Sequence, residues 1–314
     1  MSGNELVAGL IEVRGGRLLF CRHRTVSSSV AVCSVTKDNL NLALVCLHGT
    51  AANHRQFLPF IDALEALVLS AIDGVTLDCW MYDAVGCGDS PLLDDDDAYS
   101  DSEQINDLRA LLQKQVQKEY TKIFLLGHSY APNLIYKFIL QQKDFMTSQA
   151  QEVEISGVVI VCSGLHNEQL QMQKGGPTLF KAPLWLLNCL QPLLTKLFLR
   201  IGFSEKTHSE KPDIIKEAEH ANNKNDMKVV RLYYHAHDWL QDIAPVQNCY
   251  QESGASLAPL ILHGIEDQII PISCGQELAN RWNVPLVSIP DAGHMLLIEQ
   301  PTVVARHVFD YITS

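Results

Sequence analysis

A serine at position 129 lies in a segment that could hold a catalytic nucleophile. In the segment LLGHSYA, Ser129 stands two residues after Gly127 and two residues before Ala131. Nucleophilic serines often lie in a G-x-S-x-G pattern, on a sharp turn from a strand into a helix. Alanine replaces the second glycine here. A serine hydroxyl also needs a base, an acid that orients the base, and donors for the oxyanion.

Two later segments supply candidates for the base and for the acid. Asp267 follows the apolar run LILHG, and His294 follows the last apolar run through a glycine. We expect both at strand ends, on the sheet edge where Ser129 lies. The order serine, acid, histidine is a known order for such a triad. Glu266 is the alternative acid, interpreted as structural or solvated, and His263 is expected to be a packing residue.

The oxyanion would be bound by two backbone N–H groups, one directly after the nucleophile and one in the loop after an earlier strand. Tyr130 supplies the first group. In the segment LHGTAANHRQF, Gly49 follows His48 and permits a tight turn, and Thr50 is the expected second donor. The string DAVGCGDS begins at Asp83 and contains two glycines that allow a tight turn beneath the site. We therefore interpret Asp83 as structural.

Short apolar runs must position these residues. A hairpin pattern surrounds Gly15 and Gly16, and six further strand-like runs begin near residues 41, 74, 122, 156, 258 and 284. Amphipathic stretches, such as residues 53–69, lie between most of them. Near-continuous apolar strands that alternate with helices are typical of a mostly parallel sheet covered on both faces. The sequence therefore predicts an α/β fold.

Residues 165–244 interrupt this alternation and are predicted to form a helical cap over the carboxyl ends of the strands. The core then comprises residues 1–164 and 245–314. The region contains Gly175-Gly176-Pro177 and the apolar stretch APLWLLNCLQPLLTKLFLRIGF. This stretch approaches the length of a membrane-spanning helix, but Pro183, Pro192 and five polar residues argue against spanning. Its apolar side chains either pack on the core or form a patch that contacts a membrane peripherally.

Composition narrows the classes of partner and the cellular setting. The net charge of −12 disfavours nucleic acid as a partner. Nine scattered cysteines without a C-x-x-C pair favour reduced thiols and a cytoplasmic location. The N-terminal segment has neither a signal-peptide pattern nor a myristoylation pattern. His235 and His237 lack the spacing of a zinc site, so neither a metal nor a cofactor is expected.

The chain resembles serine hydrolases of the α/β-hydrolase family that carry an inserted cap. The resemblance rests on LLGHSY, KAPLWLLNCLQPLLTKLFLRIGF and DAGHMLLIEQP, and it extends from about Leu44 to the C-terminus. It implies an α/β-hydrolase fold, with Ser129 as nucleophile, Asp267 as acid and His294 as base. The departure is Ala131, where the family usually has glycine.

A serine nucleophile indicates acyl transfer through an acyl-enzyme. The expected substrate is an ester or thioester, and the apolar cap favours a hydrophobic acyl or alkyl group, although the same residues could simply pack the cap. A C–C bond hydrolase, a perhydrolase or an acyltransferase would use the same triad. A binding or signalling protein on this scaffold is a further alternative, because a fold does not determine a function.

Overall fold

Eight strands form one sheet in the computed structural model, which describes residues 6–28, 40–71, 74–116, 120–145, 154–165, 179–252 and 258–314. The strands are β1 (Leu6–Arg14), β2 (Arg17–Ser27), β3 (Leu40–Leu47), β4 (Val75–Tyr82), β5 (Lys122–His128), β6 (Gly157–Val161), β7 (Leu260–Gly264) and β8 (Leu286–Ile289). Their order across the sheet is β1-β2-β4-β3-β5-β6-β7-β8. The β1/β2 and β2/β4 pairs are antiparallel, and the other pairs are parallel. The predicted hairpin and mostly parallel sheet are confirmed.

Helices connect the strands and cover both faces of the sheet. The helices are α1 (Leu58–Ser70), α2 (Asp101–Leu111), α3 (Ala131–Phe145), α4 (Leu184–Gly202), α5 (Glu205–Glu210), α6 (Pro212–Asn222), α7 (Met227–Ala236), α8 (Ala244–Glu252), α9 (Ile272–Trp282), α10 (Leu296–Glu299) and α11 (Pro301–Thr313). A short 3₁₀ helix, His54–Phe57, precedes α1.

The central strands are buried on both faces, as their near-continuous apolar sequence predicts. Along β3, Val45 belongs to the core on one face of the sheet, and its neighbours Leu44 and Cys46 belong to the core on the other. Along β5, Leu125 and Leu126 divide between the two cores in the same way. Because the side chains of a strand alternate between faces, a strand that is covered on both sides needs apolar residues at every position.

Of the helices that the structure describes between β6 and β7, the first four, α4 to α7, are called the inserted helices below. Helix α4 buries Leu187 and Leu199 but exposes several large apolar side chains, namely Trp185, Leu193, Leu197 and Ile201. By length and composition α4 could cross a membrane, and only 17% of its apolar window is buried within the protein. The predicted cap boundaries at residues 165 and 244 stay a prediction, and Gly175-Gly176-Pro177 lies outside the described residues.

None of the eight cysteines in the described ranges forms a disulfide bond, and six of them are buried. Cys33, the ninth, lies outside those ranges. Reduced cysteines are typical of proteins in reducing compartments. The cytoplasmic location stays a prediction.

Candidate active site

Ser129 occupies a strained turn between β5 and α3. Its φ of 62° is left-handed, a region that residues with a side chain rarely adopt, and its N–H donates to the Val161 carbonyl at 3.0 Å. A Cβ atom on Gly127 would lie 2.8 Å from the Pro132 nitrogen, and one on Gly49 would lie 2.9 Å from the Ser129 Cβ. Both glycines are therefore required by close backbone approach.

Ala131, which replaces the usual glycine of the pattern, opens α3 with its methyl group buried. Pro132 follows in the first turn of the helix, where its missing N–H has no intrahelical partner to lose. The substitution is thus accommodated between the strand and the helix.

Asp267 and His294 form a buried pair at the ends of β7 and β8. The Nδ1–H of His294 donates to Asp267 Oδ2 at 2.8 Å, and the other carboxylate oxygen accepts the N–H groups of Ile269 and Ile270 at 2.8 Å each. Burial raises the pKa of Asp267, but the charge of His294 and hydrogen bonds from His263 and His294 outweigh it, so this pKa lies well below its usual range. The carboxylate therefore stays ionised and keeps the imidazole in the tautomer with a free Nε2 lone pair.

Ser129 and His294 line the same cavity, although no hydrogen bond joins their side chains among the described residues. Such bonds are often long in the absence of substrate and shorten in the complex. Glu266, the alternative acid, instead accepts the N–H of Glu205 at 3.0 Å and so contacts the inserted helices. The nucleophile, acid and base roles stay predictions that this arrangement supports.

The predicted oxyanion donors, Thr50 and Tyr130, come from the loop after β3 and from the turn after β5. Neither the Thr50 N–H nor the Tyr130 N–H donates to an acceptor in the part of the chain that the structure describes. Both residues line the cavity together with Ser129. Two unengaged N–H groups beside a serine hydroxyl form a site suited to bind a developing oxyanion.

His48 and Asp83 support the loop that carries Thr50. His48 Nδ1–H donates to the Gly49 carbonyl at 2.7 Å, and its Nε2 accepts the Ala84 N–H at 2.9 Å. Asp83 is fully buried and accepts the N–H of His54 at 2.6 Å. Burial raises the pKa of Asp83. The hydrogen bond from His54 and the charges of His48 and His54 lower it by more, so the net shift of this pKa is downward. These contacts agree with the structural interpretation of both residues.

Two histidines that the sequence did not assign to the site hold its backbone. His128 Nε2–H donates to the His294 carbonyl at 2.8 Å. Burial, reinforced by repulsion from His294, lowers the pKa of His128 to about 3, so this ring is neutral. His263, expected only to pack, donates to the Ile270 carbonyl at 2.8 Å and lies 3.4 Å from Asp267 Oδ2. Each of these two histidines lies at the end of an apolar strand beside a glycine or serine. This position was the only signal in the sequence that they lie near the site.

Glu299 joins the inserted helices to the loop of His294. Its Oε1 accepts the Gly293 N–H at 2.8 Å, and its Oε2 accepts the Ser204 N–H and the Thr207 hydroxyl, each at 2.8 Å. The side chain is 1% exposed, so this contact is buried. The sequence offered no signal for it, because Ser204 and Thr207 lie more than 90 residues before Glu299.

The cavity has a volume of about 1150 Å³, slightly above the usual range for small-molecule sites. Its floor includes Ser129 and His294, and the inserted helices contribute the apolar side chains Phe198, Ile201 and Ile214. This composition suits a ligand with a substantial apolar part.

Two clusters of side chains have the residue types of metal ligands. Cys162, Asp267 and His294 place their ligand atoms within 4.8 Å of one another, as do His54, Asp83 and Asp89. In the first cluster burial raises the pKa of the Cys162 thiol well above its usual value, and Asp267 and His294 already bond each other. A thiol that resists ionisation is a poor metal ligand.

A sequence model of the Alpha/beta hydrolase family matches residues 44–307. The chain belongs to the alpha/beta hydrolase family. Among curated relatives, Protein ABHD8 of Homo sapiens is 25% identical over 225 residues, which cover 68% of this chain and 44% of that protein. Protein ABHD8 of Bos taurus is also 25% identical over 225 residues, covering 68% of this chain and 45% of that protein. The match thus spans less than half the length of these relatives.

Solved structures show the same alpha/beta hydrolase fold. A thermophilic esterase from Thermogutta terrifontis superposes with a TM-score of 0.67 at 16% identity, covering 98% of each chain. An esterase from Exiguobacterium antarcticum superposes with a TM-score of 0.66 at 15% identity, covering 95% of this chain and 97% of that one. At identities this low, the superpositions show a shared fold and do not identify the reaction.

Replacing Glu299 with alanine is expected to lower the free energy of unfolding by about 3 kcal/mol, because three buried donors lose a charged acceptor. The Glu299→Gln variant is expected to lose less, since it keeps one acceptor oxygen. Urea unfolding followed by circular dichroism measures both. Glu210→Ala, an exposed acid on α5, is the matched control and should change the free energy by less than about 0.5 kcal/mol. A Glu299→Ala loss equal to that of the control would contradict the buried contact.

Proposed function

We propose that this protein is a serine hydrolase that cleaves an ester or thioester with a hydrophobic acyl or alkyl group. The observation that carries the proposal is the left-handed turn of Ser129 beside the buried Asp267–His294 pair at one cavity. A strained serine that faces a histidine and carboxylate pair is the arrangement of a nucleophile with its base and orienting acid. The esterase fold neighbours agree with this reaction class.

The geometry supports a two-step acyl transfer. The Ser129 hydroxyl attacks the substrate carbonyl while His294 Nε2 removes its proton, and the Asp267 carboxylate stabilises the imidazolium that results. The tetrahedral oxyanion accepts hydrogen bonds from the backbone N–H groups of Thr50 and Tyr130. Collapse expels the alcohol or thiol, which takes the proton from His294. Water then attacks the acyl-enzyme by the same route and releases the acid.

Fluorophosphonate labelling tests the nucleophile. A fluorophosphonate is expected to label the wild-type protein at Ser129 and to leave the Ser129→Ala variant unlabelled, because the probe phosphonylates an activated serine. Intact-mass spectrometry and peptide mapping detect the adduct. Ser163→Ala, which removes a buried hydroxyl in the turn after β6, is the control and should still label. An unlabelled wild type, or equal labelling of Ser129→Ala, would rule out the assignment.

A series of p-nitrophenyl esters tests the hydrophobic substrate. We expect kcat/KM to rise at least about tenfold from acetate to octanoate, because each buried methylene contributes about 0.8 kcal/mol. Rates are measured by release of p-nitrophenolate, with Ser129→Ala as the background. Highest kcat/KM for acetate would contradict a hydrophobic acyl site.

We further propose that α4 contacts an anionic membrane surface peripherally. Exposed residues recur every four positions along α4, at 185, 189, 193, 197 and 201, and so follow one face of the helix. Four of them are large apolar residues, and the one at position 189 is a cysteine. Lys196 and Arg200 lie among them, and α4 contains no acidic residue although the chain carries −12 overall. Apolar and cationic side chains on one exposed helix face suit binding at an anionic lipid interface. Ile201 extends this face to the cavity.

Vesicle binding tests the membrane surface. The double variant Leu193→Glu, Leu197→Glu is expected to bind phosphatidylserine-containing vesicles at least tenfold more weakly than wild type, because it places two charges where apolar side chains would enter lipid. Flotation on a density gradient measures binding. Leu92→Glu, at an exposed leucine in the loop after β4, is the control and should bind like wild type. A wild type that stays with the soluble fraction, or a double variant that floats equally, would contradict the proposal.

A further inference from the structure

His237 contacts both residues assigned to the oxyanion site. It directly follows α7, and its Nε2 shares a hydrogen bond of 2.6 Å with the Thr50 hydroxyl. Its ring stacks on the Tyr130 ring, with centroids 3.9 Å apart and planes inclined by 23°. His237 also lines the cavity beside Ser129. One side chain from the end of the inserted helices thus contacts the side chains of both residues predicted to form the oxyanion hole.

The two residues after His237 hold Tyr130 from other directions. The Asp238 N–H donates to the Tyr130 hydroxyl at 2.7 Å, and this hydroxyl donates to Asp101 at 2.5 Å. Trp239 packs edge-on against the Tyr130 ring at 5.0 Å. Tyr130 is therefore fixed by a network that joins the end of the inserted helices to the start of α2.

The Lys137 ammonium connects the acids of this network. It donates to Asp101 at 2.7 Å and to the Asp238 carboxylate at 3.0 Å, and it also donates to the Asp238 carbonyl. Burial and the positive charge of Lys137 lower the pKa of His237 to about 3. The ring is therefore neutral near pH 7 and holds Thr50 through a hydrogen bond rather than through charge.

We propose that His237 is a positioning residue that holds Thr50 and Tyr130 so that their backbone N–H groups point at the oxyanion. This inference rests on the serine hydrolase function proposed above. Loss of one oxyanion donor typically lowers kcat by about 100- to 1,000-fold, and a misplacement of about 1 Å lowers the rate by about 100-fold. A residue that aligns two donors should therefore act mainly on kcat, because the oxyanion forms in the transition state and not in the bound substrate.

Steady-state kinetics with a p-nitrophenyl ester test this role. His237→Ala is expected to lower kcat by about 10- to 100-fold and to change KM less than threefold, as expected for a lost transition-state interaction. His237→Gln is expected to recover part of the rate, because its amide can still bond Thr50. His220→Ala, an exposed histidine on α6 outside the cavity, should match wild type. Circular dichroism and fluorophosphonate labelling are recorded for each variant.

A double-variant cycle with Thr50→Val distinguishes positioning through Thr50 from a separate effect. If His237 acts through that hydroxyl, the kcat losses of His237→Ala and Thr50→Val are expected to be less than additive. Unchanged kcat in an active, folded His237→Ala protein overturns the positioning role alone. A loss confined to KM, or fully additive losses in the cycle, also overturns it. A wild type that neither labels nor hydrolyses esters overturns the proposed function and the positioning role together.

Discussion

The left-handed backbone of Ser129 is the constraint on which the rest of the site depends. A non-glycine residue in such a conformation is strained by about 1–3 kcal/mol, and it persists only where its surroundings hold it. Here β5 pairs with β3 on one side and with β6 on the other up to the residues just before the turn. Glycine at positions 127 and 49 lets the helix and the neighbouring loop approach within contact distance. The serine hydroxyl is thereby lifted above the sheet edge, toward the cavity.

The buried histidines around this turn differ in their hydrogen-bond partners. His48 and His128 each bond main-chain groups, and desolvation lowers the pKa of both, so they add no charge beside the serine. His294 differs because its partner is a carboxylate. A carboxylate that stays ionised beside an imidazole stabilises positive charge that develops on the ring, and the proposed general-base role of His294 requires this.

The inserted helices and the residues that follow them contact the loops of the candidate site at several places. Near the end of α4, Ser204 shares Glu299 with the backbone just before His294, and after α7, His237 and Asp238 contact Thr50 and Tyr130. The same helices line the cavity with apolar side chains. The cavity wall and the loops that carry Ser129, His294 and Thr50 are therefore physically coupled, because a shift of these helices would move both.

The sequence by itself determined the mostly parallel α/β sheet and the order in which Ser129, Asp267 and His294 reach one edge, because apolar periodicity and turn motifs are local properties of the chain. Tertiary structure decided which distant surfaces meet. Thr50 and His237 are 187 residues apart, and His263 became an Asp267 neighbour rather than only a packing residue. The apolar pattern of α4 was consistent with both packing and exposure, and the fold left Leu193 and Leu197 exposed. A helical period defines an apolar face but carries no information on what covers it.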